Sequence, residues 1–201
     1  MEHKARHDLS LSGVGSASGG TYHDVRINGV GKVHGDLECV HCRVDGVADI
    51  YGNVKATTVQ IRGRARVQGS VSGDEVRLEG DTTIDGNCEA ETFHAAGAFR
   101  VDGLVNADQV SIRLHGSAKV KEIGGEHIRV VKHHKFGLFS RFKKLTAETI
   151  EGDDVHLEFT KADVVRGNRV TIGPGCEIEC VEYRTDFQQA PEARVTESRK
   201  L

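Results

Sequence analysis

The residues best equipped for chemistry are two thiols and an imidazole in the run Cys39-Val40-His41-Cys42. Two cysteines separated by two residues have the spacing of half a zinc ribbon, and His41 adds a third soft or borderline ligand. A closed structural zinc site needs four ligands, and no second pair of matching type follows nearby. Cys176 and Cys180 have three residues between them but no histidine or further cysteine close in sequence, and Cys88 stands alone. The expected role of these thiols is packing, with no metal site. Eleven histidines invite a search for an acid–base residue. His34 and His94 share a side of the chain with Arg43, Tyr51, Gln68 and Arg77, which marks a solvated face. His133 and His134 lie in a basic segment and would titrate near neutral pH. No serine, histidine and carboxylate recur as a set, and neither a phosphate loop nor a dinucleotide fingerprint is present. The sequence therefore offers no catalytic or cofactor-binding residue, and the expectation is a non-enzymatic protein without cofactors.

The elements that position these side chains are set by a repeat. Steps of 17 residues from Ile27 meet Val44, Ile61, Leu78, Ala95 and Ile112; from Val25 they meet Cys42, Val59, Val76, Phe93 and Val110; from Val33 they meet Ile50, Val67, Ile84, Val101 and Ala118. Glycines form two further columns, one from Gly29 to Gly97 and one from Gly35 to Gly103. A fixed short period is the mark of a solenoid. Within each repeat the apolar residues alternate with polar ones, as in Val25, Ile27 and Val33 against Arg26, Asn28 and Lys32, which is strand alternation. Because 17 is odd, the buried parity must reset once per repeat. A coil with one irregular corner does this and stacks equivalent residues as rungs, whereas a meander of hairpins reverses direction at each turn. The predicted fold is all-β, a single-stranded parallel β-helix. Cys42 falls in the Val25 column and Cys88 in the Leu37 column, so both belong to the core. Glycine at the corners is expected to relieve crowding and the restriction on φ.

Residues 1–20 are rich in glycine and serine and read as a flexible arm, with Leu9, Leu11 and Val14 as a weak apolar trio. The β-helix domain is placed at 21–183 and a polar, disordered tail at 184–201. Beyond Leu114 the repeat slips, and a basic segment interrupts it at 132–145. There Leu138, Phe139, Phe142 and Leu145 have the spacing of an apolar stripe on a short helix, among Lys132, Lys135, Arg141, Lys143 and Lys144. Two coils follow, carrying Val155, Leu157 and Val164, then Val170, Ile172, Ile178 and Val181, with a turn at Pro174-Gly175. The outward column Arg26, Arg43, Gln60, Arg77 and His94 is partly basic, but Asp45, Glu75 and Glu79 lie beside it, and a formal net charge of −3 gives no case for nucleic acid. Five cysteines, an odd number, without a leader or a long apolar run point to a reducing cytoplasm.

Glycine-punctuated units such as VRINGVGKVHGDLE, VRLEGDTTIDGNCE and FRVDGLVNADQV resemble the bactofilins, polymer-forming bacterial cytoskeletal proteins, most strongly over residues 21–122. The segment ADVVRGNRVTIGPGCEIECVEY is similar to longer members of that family from spore-forming Gram-positive bacteria. The resemblance implies a right-handed β-helix flanked by disordered tails, stacking end to end into filaments without nucleotide and scaffolding envelope, shape or motility partners. The chain departs from the family pattern in lacking an aromatic membrane-targeting segment at the N-terminus and in carrying the insertion. Val25 and Ile27 at one end, and Val170, Ile172 and Ile178 at the other, are the expected polymer interface. Lys135, Phe136, Phe139, Arg141 and Phe142 are the expected contact with the inner face of the membrane or with a partner. The alternative is a left-handed β-helix acyltransferase, suggested by the six-residue apolar step through Val170, Ile172 and Ile178 around Pro174-Gly175-Cys176. Such enzymes want coils of three hexads, and that step is not sustained elsewhere.

Overall fold

The computed structural model describes residues 7–132 and 143–201. Period-two alternation keeps the chain extended almost throughout, in nine strands: β1 (Leu9–Thr21), β2 (Asp24–Tyr51), β3 (Val54–Val67), β4 (Val71–Ile84), β5 (Cys88–Lys132), β6 (Leu145–Leu157), β7 (Thr160–Ile172), β8 (Glu177–Gln189) and β9 (Arg194–Lys200). All pair in parallel, each with its predecessor and successor, in one sheet ordered β1 to β9. The sheet winds into a β-solenoid of about 11 turns spaced ~17 residues apart, and the described residues contain no helix. Consecutive strands therefore stack as coils, and the apolar columns become the filling: Val25, Cys42, Val59, Val76, Phe93 and Val110 are all buried, as are the columns beginning at Ile27 and Val33. Column volumes compensate one another. Where Phe93 enlarges one rung, the neighbouring Ala95 is small, and Phe99 meets the Phe93 ring edge-on at 5.9 Å.

The step is not constant. Leu9 pairs with Val25, Leu37 with Val54, Leu145 with Thr160 and Ala162 with Ile178. In the coil that holds Arg166 the inward residue is Val165, with Val164 only half-buried.

The stretch read as a flexible arm is, from Leu9 to Thr21, the first coil of the solenoid. Its glycines and serines do not prevent this, because a parallel ladder is bonded through the backbone and needs few side chains once a template strand is present. Leu9, Leu11 and Ala17 land over Val25, Ile27 and Val33, and Gly13 lands over Gly29. The stretch read as a polar tail likewise contains the end of β8 and all of β9, with Phe187 over Val170 and Val195 over Ile178. Phe187 and Val195 supply its inward apolar residues, while Ser198, over the buried Val181, and most of its charged residues stay exposed. Leu145, expected on a helical stripe, is instead the buried second residue of a pair with Ala118 in β5. Lys135, Phe136, Leu138, Phe139, Arg141 and Phe142 lie outside the described residues.

The glycine column at Gly29, Gly46, Gly63 and Gly80 has a different cause from the core crowding inferred above. A Cβ on Gly63 would stand 2.2 Å from the carbonyl oxygen of Gly46, one rung below, and its φ of +126° is closed to other residues. The crowding is between the backbones of successive coils.

A second device fastens the rungs at another corner. Asp36 Oδ1 accepts the backbone N–H of Asn53 (2.7 Å), Asn53 Oδ1 that of Ser70 (2.9 Å), Ser70 Oγ that of Asn87 (3.1 Å), and Asn87 Oδ1 that of Leu104 (3.0 Å). Asn53 Nδ2 also donates to Asp36 Oδ1 at 3.1 Å. Leu104 has no side-chain oxygen to continue the series, and the repeat slips in the coil that follows. Truncating Asn53→Ala removes two of these bonds at an exposed corner where water can replace them. The expected loss is about 1 kcal/mol in denaturant unfolding followed by circular dichroism.

Candidate functional site

The structure parts the imidazole that suggested a metal from the two thiols. Cys39 and Cys42 both point into the core, while His41 is exposed with Nδ1 2.6 Å from Thr58 Oγ1. The two-residue gap is the corner at which parity resets. It recurs as Ala56 and Val59, Gly73 and Val76, Ala90 and Phe93, and Ala107 and Val110, with the second residue of each pair in the Val25 column. Cysteine at both positions of one corner reproduces a ligand spacing without a shared open face.

The buried thiols of Cys42, Cys88 and Cys176 are held protonated. Burial, helped by the neighbouring Glu89 carboxylate, pushes Cys88 up to about 12. Burial likewise raises Cys176 to about 11. For Cys42 the hydrogen bond with Cys39 is the main cause of a large upward shift, and burial adds to it. The folded chain thus keeps protons that the unfolded chain releases above the ordinary thiol value of 9.0. This contribution to stability is complete below pH 9 and is lost as pH rises towards 12. In urea titrations across that window the midpoint should fall, and Cys88→Ala should flatten the fall. At neutral pH the native chain should be alkylated by iodoacetamide first at the half-buried Cys180, with Cys42 and Cys88 spared.

On the outer face Arg43, Gln60, Arg77 and His94 stack in register, but the cations are matched by acids. Arg26 pairs with Asp24, Arg43 with Asp45 (2.5 Å) and Arg77 with Glu75 (2.6 Å), all within their own coils. Arg62 reaches Glu79 (3.2 Å) and Arg64 reaches Asp81 (3.5 Å) across one rung. His34 stacks on Tyr51 at 5.0 Å. In the later coils Arg166 bridges Glu151 (2.8 Å) and Glu182 (2.7 Å), and Asp154 lies beside Arg169 and His127, with the Arg169 hydrogen bond the main reason its carboxyl stays below the usual range. The pairs that cross a rung fasten neighbouring coils, and among the described residues the matched acids leave no continuous cationic track.

That directs attention to the ends. Val25, Ile27, Val170, Ile172 and Ile178, expected to form the end surfaces, are all fully or almost fully buried. β1 covers the first two, and β8 and β9 cover the others. The outermost coils expose other residues. Leu9 and Leu11 in β1 are only partly covered, and β1 has no second strand partner among the described residues. At the far end Tyr183 and Phe187, whose rings stack at 5.3 Å, and Val195 are partly covered. The two edges differ in character: β1 presents serine, glycine and alanine, while β9 presents Arg194, Glu197, Arg199 and Lys200.

Residues 3–89 match the family model for bactofilins, described as polymer-forming cytoskeletal. The uncharacterized protein YhbE of Bacillus subtilis (strain 168) is 49% identical over 96% of this chain and 98% of its own length. The chain belongs to the bactofilin family. A second relative, the uncharacterized protein YhbF of the same organism, is 45% identical over 49% of this bactofilin and 42% of its own length. No solved structure matches. The matched family segment ends at residue 89, within the regular coils, and the relation to YhbE takes in 96% of this bactofilin, the later coils included. Among its described residues no helix is long and apolar enough to cross a membrane.

Proposed function

We propose that this bactofilin is a non-enzymatic scaffold whose copies stack end to end into filaments without nucleotide. The observation that carries the reading is the state of the outermost coils. Each leaves one edge of parallel backbone without a partner among the described residues, above half-covered apolar side chains, so a further coil from another copy would complete both the ladder and the core. Contacts of this kind propagate whether the joints are like-to-like or head-to-tail. The filament would lie in the cytoplasm, organising envelope, shape or motility partners. Lys135, Phe136, Phe139, Arg141 and Phe142 would give peripheral contact with the inner face of the membrane or with such a partner. Electron microscopy of the purified, nucleotide-free chain over a range of salt and concentration tests the proposal. Filaments are the expected result, and monomers under every condition would reject it.

A further inference from the structure

The junction between the first two coils holds a group of side chains that neither the core nor the proposed assembly uses. Asp8 precedes β1, and one rung away His23 and Asp24 form the entry to β2. Their ligand atoms all lie within 4.8 Å of one another. His23 Nδ1 stands 3.2 Å from Asp24 Oδ1 and 3.9 Å from Asp8 Oδ1. Donor atoms bound tetrahedrally at about 2.1 Å to one ion lie about 3.4 Å apart, so the two His23 separations are within about 0.5 Å of that spacing and the exposed Asp8 side chain is free to close the remaining one.

Asp24 supplies an independent observation. It is only 8% exposed, and its Oδ1 is a buried oxygen that accepts no hydrogen bond. Its other oxygen, Oδ2, is taken by Arg26, and its backbone N–H donates to Asp8 Oδ1 at 3.2 Å, which orients that carboxylate towards the same point. A buried carboxylate oxygen left without a donor is costly, and a second carboxylate beside it adds repulsion. A cation between them removes both penalties.

We infer that Asp8, His23 and Asp24 bind a divalent first-row transition ion that clamps the first coil to the second. The imidazole favours zinc-like ions over magnesium or calcium, and the exposure of Asp8 and His23 leaves room for water in the remaining positions. The clamp would sit where the N-terminal coil, poor in large side chains, has least packing to hold it.

The test uses the full chain stripped with a chelator and titrated with Zn²⁺ by calorimetry, alongside His23→Gln and Asp8→Asn. Both substitutions fall on exposed side chains, and circular dichroism checks that the β signal is retained. One equivalent should bind, each variant should weaken it by at least about tenfold, and Zn²⁺ should slow amide hydrogen exchange over Leu9–Thr21 in the wild type only. Absence of saturable binding, or an affinity unchanged in either variant, would overturn the inference.

Discussion

Leu11→Arg yields a folded monomer that no longer assembles. Leu11 sits over Ile27 on the outermost N-terminal coil and is only partly covered, so replacing it leaves the coils beneath undisturbed and the β-sheet signal intact. At an end-to-end joint, however, the same side chain would be enclosed by the next copy. Burying a leucine there is worth about 2 kcal/mol, and enclosing an unpaired guanidinium costs more than that. Together these raise the critical concentration by at least about 100-fold. Val14→Arg is the matched control, because Val14 is 87% exposed on the outer wall of the same coil and points away from the joint. Sedimentation and electron microscopy of the two variants give the reading. If Leu11→Arg assembles at the wild-type concentration, the N-terminal coil is not a contact surface.

Gly63→Ala should have the largest effect on the fold itself. The new Cβ meets a backbone oxygen at 2.2 Å, and no rotamer change can move it away; the φ of +126° adds strain of its own. Relief requires the rung to part from its neighbour, which breaks ladder bonds in the middle of the regular coils. A loss of about 4 kcal/mol or more is expected, a large share of the stability of most domains. Gly15→Ala provides the comparison, since its Cβ would have only an ordinary contact of 3.4 Å with Leu11 Cδ2. The chain has no tryptophan, so urea unfolding is best followed by circular dichroism. Equal midpoints for the two variants would show that the glycine column is not held by backbone contact.

The core was legible because side chains of one chemical class recur at one step. Val25, Cys42, Val59 and Val76 announce a column whatever the backbone does between them. The outer coils were not legible in the same way. Leu9 and Leu11 follow the template at 16 residues from Val25 and Ile27, and Phe187 sits 17 from Val170 although the same strand pair begins at a step of 16. A step of 17 passes over Leu9 and Leu11, and in the tail Phe187 and Val195 stand too isolated among polar residues to mark a column, so glycine, serine and charge read as disorder. The corner ladder escaped for a related reason. Asp36, Asn53, Ser70 and Asn87 share an acceptor oxygen but not a residue type. Cys39 and Cys42 show the opposite error, a meaningful spacing whose meaning is the corner. Asp8 and Asp24 are brought together only by the winding of the coil.

The unequal width of the rungs has a mechanical consequence. Axial tension on the solenoid passes through its coils in series, and within each rung it is shared by the bonds across that rung. Most neighbouring strands are paired along a dozen or so positions, but β9 is seven residues long and grips β8 from Glu177 to Tyr183 alone. A pulled chain therefore yields at its C-terminal turn first, and the body of the spring stays wound.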